Sequence, residues 1–192
     1  VSFYNGTNKK NIYPTPVIGG VGLIKKLSKP LSHNFKKSNS AIILIGKTFG
    51  HIEQSCFLKE NYSIIEGMPP EINLLNEKNN GESLLKLIDK NLILSAHDIS
   101  NGGLITALSE MTLTSNFGAK IHKPKKLTNL FRYFFGEDQA RYIIEIQAQK
   151  LSSVEKLLKE SNVYYENIGF TQENYFEIEG ELKISTKDLF KI

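Results

Sequence analysis

Ser95-Ala96-His97-Asp98-Ile99-Ser100-Asn101-Gly102-Gly103-Leu104 leaves an apolar run, turns through polar residues and enters a second apolar stretch through two glycines. The run before it, Leu92–Ala96, has the length of a strand. The stretch after it, Gly102–Met111, places Leu104, Ile105, Leu108 and Met111 at helical spacing. Strand, tight turn and helix in that order are the unit of an α/β fold. Backbone N–H groups at such a helix start, with the helix dipole behind them, attract an anion, and glycine lets a phosphate approach the backbone closely. On this reading His97, Asp98, Ser100, Gly102 and Gly103 face a phosphate or nucleotide. The plainer alternative makes Ser100 or Asn101 an N-cap and His97-Asp98 a hydrogen-bonded turn.

Working outward, Ala41–Gly46 is a short continuous apolar run rich in β-branched residues, as in an internal strand. Gln54–Glu60 suits a short helix, followed by a loop with Gly67 and Pro69-Pro70. Pro70 is placed to open a helix over Glu71–Leu75, which Glu82–Lys90 continues or restarts with Leu84, Leu85, Leu87 and Ile88 on one face. Downstream, Ala119–Ile121 and Arg141–Gln147 read as strands. Ser152–Ser161 reads as a helix capped by Ser152 or Ser153, and Val163–Phe170, Tyr175–Ile178 and Leu182–Ile184 as closing strands. The expectation is an α/β unit, a mixed sheet with helices packed on it. Upstream, Val1–Gly6 reads as the end of a strand, Pro14-Thr15-Pro16 as an extended connector, and Val17–Ile24, with its glycines, as a buried strand. Two parts are therefore expected, 1–29 and 30–192.

The 192 residues suit one domain with an appendage, since a domain takes roughly 100–200. With 40% apolar and 23% charged residues the composition is that of a globular core. No apolar run approaches the ~20 residues of a membrane span, and Val1 is followed by no signal-peptide pattern. The single Cys56 excludes an internal disulfide and a cysteine-based zinc site, so a reducing, cytoplasmic setting is expected. The net charge of +4 is spread over small groups such as Lys9-Lys10, Lys36-Lys37 and Lys123 with Lys125-Lys126. That pattern supports no nucleic-acid face.

A second candidate is Phe135-Gly136-Glu137-Asp138-Gln139-Ala140-Arg141, two carboxylates and an amide directly before a strand. Glu137 and Asp138 offer oxygen ligands to magnesium or contacts to a ribose. Alternatively the segment is a solvated turn in which Arg141 pairs with one carboxylate. Cys56 has no base beside it and reads as core filler, and His33 and His122 have no partner at metal-ligand spacing.

In order along the chain, VSFYNGT (1–7), PTPVIGGVGLI (14–24), EGMPP (66–70), SAHDISNGGL (95–104), LSEM (108–111) and FGEDQARY (135–142) resemble the large synthetase subunit of the phosphoribosylformylglycinamidine synthases. The resemblance is to the final part of that subunit, which is similar to two tandem copies of a two-domain unit. It implies that Val1–Thr7 is the last strand of an ATP-binding domain lying mostly upstream. Residues 30–192 would be the C-terminal domain of the second copy, an α/β (α+β) sandwich with the fold of the aminoimidazole ribonucleotide synthetase superfamily and partial ferredoxin-like similarity. It further implies an ATP-dependent ligase of purine biosynthesis that converts formylglycinamide ribonucleotide to its amidine with ammonia from glutamine. Magnesium, a glutaminase subunit and a small accessory subunit would serve it, with no nucleic acid and no membrane as partner. Ser2 matches a serine that contacts the ribonucleotide. The catalytic histidines and main magnesium ligands would lie upstream, and the fragment alone would be inactive. By the internal duplication Glu137-Asp138-Gln139 matches a substrate-contacting Glu-Ser-Gln stretch. Gly6, Asn101 and Cys56 replace residues that are acidic in the family, and the loss at Asn101 weakens a metal role for its loop. The alternatives are a purely structural or interaction domain, or another ATP-dependent member of the superfamily.

Overall fold

The computed structural model describes residues 6–7, 10–11, 18–23, 31–124 and 129–191. The expectations placed on Val1–Asn5, on Ser2 and on the Pro14–Pro16 connector lie outside those residues, as do Lys125 and Lys126. Two compact units are formed, Val1–Pro30 and Leu31–Ile192. In the first, β1 (Gly6–Thr7) pairs antiparallel with β2 (Lys10–Asn11). Residues 18–23, expected within a strand, form none, since they have no ladder partner among the described residues.

The second unit runs β3 (Ala41–Ile45), α1 (Cys56–Tyr62), α2 (Leu74–Asp89), β4 (Ser95–Asp98), α3 (Gly103–Leu113), β5 (Phe117–Ile121), α4 (Leu130–Phe135) and β6 (Tyr142–Ile146). It continues with α5 (Leu151–Glu160), β7 (Tyr165–Glu173), β8 (Tyr175–Ile178), β9 (Leu182–Ser185) and α6 (Thr186–Leu189). The strands form one sheet in the order β4-β6-β3-β7-β5-β8-β9. Its pairs are antiparallel apart from β5 with β8, so the sheet is mixed.

Helices cover both faces. Ile42 and Leu44 of β3 join Leu104, Leu108 and Met111 of α3 and Tyr133 and Phe134 of α4 in one core. Ile43 and Ile45 join Leu87 of α2 and Val154, Leu157 and Leu158 of α5 in the other. Because successive side chains of a strand point to opposite faces, a strand buried on both reads as an unbroken apolar run. That is why AIILI, rather than an alternating pattern, marks the centre of this sheet.

Three of the boundaries that differ from expectation have a plain local cause. Pro70 opens no helix; α2 starts at Leu74, where the Asn73 side chain accepts from the Asn76 N–H at 2.9 Å, and then runs unbroken through Gly81. Such a cap satisfies a donor that the helix itself leaves orphaned. Neither Ser152 nor Ser153 caps α5, because a 3-10 turn over Ala148–Lys150 feeds straight into Leu151. The strand expected at Leu92–Ala96 begins at Ser95, with the Leu94 N–H already bonded to the Glu145 carbonyl at 2.8 Å.

Candidate functional site

β4 carries His97 and Asp98 to the edge of the sheet, opposite Ile143 and Tyr142 of β6. They therefore stand in a strand and not in the expected turn. His97 Nε2 lies 3.0 Å from Glu110 Oε2 and its Nδ1 lies 2.7 Å from the Asp98 carbonyl, while the His33 ring meets it edge-on at 5.2 Å. Asp98, Ser100 and Asn101 are exposed. Neither Ser100 nor Asn101 caps α3. The cap is Gly102, at φ 79, and it makes no side-chain bond.

Two of the backbone donors at this helix start, those of Gly102 and Gly103, are already engaged. The Gly102 N–H donates to Glu137 Oε1 at 2.7 Å, and the Gly103 N–H donates to the Ser100 carbonyl at 3.1 Å. A Cβ on Gly103, at φ +73, would stand 2.7 Å from the carbonyl oxygens of both Phe134 and Gly136. This glycine lets α3 close onto the end of α4, a packing reason for a residue that the sequence suggests for phosphate approach.

Glu137 joins two helix starts, since its Oε1 also accepts from the Cys56 N–H at 2.8 Å, at the beginning of α1. Its own N–H donates to the His51 carbonyl at 2.8 Å. Asp138 is buried and accepts from three successive N–H groups, Phe49 at 3.0 Å, Gly50 at 2.9 Å and His51 at 3.1 Å. Arg141, buried as well, donates from Nε to the Asp138 carbonyl at 3.1 Å, from Nη2 to the Gly136 carbonyl at 2.6 Å and from Nη1 to Thr48 Oγ1 at 3.2 Å. Its Nη1 is 3.8 Å from Asp138 Oδ2. Burial pulls the guanidinium below its ordinary range and the Asp138 charge opposes that. The segment is therefore a buried clasp and not a solvated turn. Hydrogen bonds to ionised groups contribute about 1.5–3 kcal/mol each, and a buried charge left unpaired is strongly destabilising. Gln139 alone of the motif's polar residues is exposed.

The structure thus brings Gly102, Gly103, Glu137 and Asp138 together, with His51 and Cys56, and leaves Asp98, Ser100 and Gln139 on the surface. Among the described residues no group of three His, Cys, Asp or Glu is arranged to hold a metal ion. Asp138 gives both oxygens to backbone N–H groups and Glu137 gives one, so these residues do not fit a magnesium ion.

The clasp also shapes a cavity of about 680 Å³, since Lys47, Thr48 and Phe49 form one of its walls. Within it, Tyr133 Oη and Tyr164 Oη both donate to the Glu166 carboxylate, at 3.2 and 2.5 Å. The bond to Glu166, then burial, pushes the Tyr164 phenol up to about 12. Burial, then the Glu166 charge, raises Tyr133 further. Nothing in the sequence singles these three residues out, because they lie on α4, before β7 and within β7, and only the fold makes them neighbours.

A family model described as AIR synthase related protein, C-terminal domain, matches residues 37–178. The phosphoribosylformylglycinamidine synthase subunit PurL of Pelagibacter ubique is 48% identical over 191 residues, which cover 100% of this chain and 26% of that protein. The PurL subunit of Rhodopseudomonas palustris is 39% identical over 189 residues, 98% of this chain and 26% of that one. The chain thus spans about a quarter of the length of these curated relatives. Among solved structures, T. maritima PurL complexed with FGAR is similar with a TM-score of 0.68 at 17% identity, over 83% of this chain and 29% of that one. The thiamine-monophosphate kinase from Stenotrophomonas maltophilia is similar with a TM-score of 0.56 at 15% identity, over 81% and 54%. These structural likenesses bear on the fold.

Proposed function

The chain belongs to the family of AIR synthase related proteins through its C-terminal domain, and from that premise we propose that it is the final part of a phosphoribosylformylglycinamidine synthase subunit. One observation carries this reading, the 48% identity to the Pelagibacter PurL subunit along the whole chain. Residues 1–29 are then the end of an ATP-binding domain with its crossover, and 30–192 the C-terminal domain that follows it in the chain. In the reaction, ATP phosphorylates the amide oxygen of formylglycinamide ribonucleotide. Ammonia released from glutamine by a glutaminase subunit then attacks the activated carbon and expels phosphate, giving the amidine. A small accessory subunit completes the assembly, magnesium accompanies the ATP, and the setting is the cytoplasm. Catalysis of this kind rests on positioning and charge neutralisation, which suits a site assembled from several domains. The chain alone is inactive.

Ser2 contacts the ribonucleotide. His97, Asp98, Ser100 and Gln139 offer the polar edge toward nucleotide, beside the Gly102-Gly103 helix start. Glu137 and Asp138 serve that edge from beneath, and the five backbone N–H groups they accept support this holding role over direct contact. A second reading, a structural domain whose ligand pocket has degenerated, is favoured by Glu137 filling the helix start and by Asn101 in place of a carboxylate.

Replacing the matching quarter of the Pelagibacter subunit by this chain tests the proposal. The expected outcome is ADP formation that depends on formylglycinamide ribonucleotide and ammonia, within about tenfold of the parent subunit. A folded hybrid without turnover would sink it.

A further inference from the structure

We infer that the stretch from Ile64 to Leu75 is a docking surface for the rest of the longer polypeptide, a protein face that is apolar at its centre and basic at its rim. This inference rests on the proposed function, which makes the chain about a quarter of a larger subunit. Ile64, Ile65, Met68, Ile72, Leu74 and Leu75 are each between 42% and 78% exposed, an unusual run of large apolar side chains in water.

The middle of the stretch is nonetheless tied to neighbouring side chains. The Gln54 side chain donates to the Gly67 carbonyl at 2.5 Å, the Met68 N–H donates to Glu53 Oε2 at 2.9 Å, and His51 Nε2 lies 2.8 Å from the Met68 carbonyl. Gly67, at φ +102, lies against the Glu53 side chain, where a Cβ would collide with it. These polar bonds tie the backbone at Gly67 and Met68 without using the apolar side chains. The start of α2 tells the same story. Its buried residues are Asn80, Ser83 and Leu87, so the first turns, with Leu74 and Leu75, have no core to pack on among the described residues.

Charge decides the occupant. Between residues 54 and 80 stand Glu60, Glu66, Glu71 and Glu77 against Lys59 and Lys78, in a chain whose net charge is +4. Lys59 pairs with Glu60 and Lys78 with Glu82, so Glu66 and Glu71, both exposed within the stretch, have no ion pair among the described residues. Two copies docked through this face would set carboxylates against carboxylates, and an anionic lipid surface would be repelled in the same way. A protein face with lysine or arginine at its rim complements it.

The test compares hydrogen exchange at residues 64–75 in the chain alone and in the Pelagibacter hybrid. Exchange is expected to slow by about tenfold or more in the hybrid. Ile65→Asp with Leu74→Asp should leave the melting temperature of the chain alone unchanged, and should abolish the protection and lower the melting temperature in the hybrid. Equal exchange in both settings would overturn the inference, as would a harmless double substitution in the hybrid. A dimer of the chain alone that dissociates on the same substitutions would also overturn it, by assigning the face to a second copy. Turnover by the hybrid judges the proposed function separately, because protection does not require chemistry.

Discussion

Glu145 shows how a single residue in an ordinary strand becomes a structural joint. It stands in RYIIEIQ, which reads as a plain strand, yet it is fully buried and its carboxylate accepts from the Lys36 and Lys37 N–H groups and the Ser95 hydroxyl. Burial outweighs these bonds and lifts its carboxyl above the ordinary 4.5. The folded chain therefore keeps a proton at pH values where the unfolded chain has lost it. Its contribution to stability declines as pH rises from 4.5 to the raised value and is level above it. Glu145→Gln should remove that decline and lower stability overall by about 1–3 kcal/mol, because one acceptor is lost. Urea unfolding across a pH series checks both effects, and an unchanged slope in the variant would assign the decline to another group.

Among the elements, α3 makes the sharpest claim. Its two leading glycines both have positive φ, but their surroundings differ. A Cβ on Gly102 meets the side chain of Thr106, which can rotate away, whereas one on Gly103 meets backbone of the 134–136 segment. Gly102→Ala should therefore destabilise by about 1 kcal/mol. Gly103→Ala should do so by roughly 3 kcal/mol or more, since strained backbone is added to a clash that nothing flexible relieves. Thermal unfolding of the two variants separates these outcomes, and equal losses would mean that the end of α4 can yield.

At the scale of the whole molecule, the two cores share β3, with Ile42 and Leu44 on one face and Ile43 and Ile45 on the other. Neither helical layer can be lost without exposing that strand. Leu108→Ala on α3 and Leu158→Ala on α5 should each destabilise by about 2–5 kcal/mol and shift one common transition. Denaturant curves followed by backbone and by tyrosine signals should coincide in both variants. Separated midpoints would show two layers that unfold independently.

Local chemistry accounts for what the sequence makes legible. AIILI announces a strand buried on both faces, SAHDISNGGL a strand, turn and helix, and the ordered motifs a family. Each of these signals lies within a few residues, where periodicity and backbone preference act. The roles of Glu137, Asp138 and Arg141 are not legible in that way. Whether a carboxylate beside a glycine-rich turn meets a ligand or a neighbouring N–H depends on which loops the sheet order brings beside it. β6 lies between β3 and β4, so the segment leading into it meets both the loop after β3 and the turn after β4. Tertiary structure alone decided that the anion at the α3 helix start is the chain's own Glu137, because desolvated backbone donors take the nearest carboxylate that the fold presents.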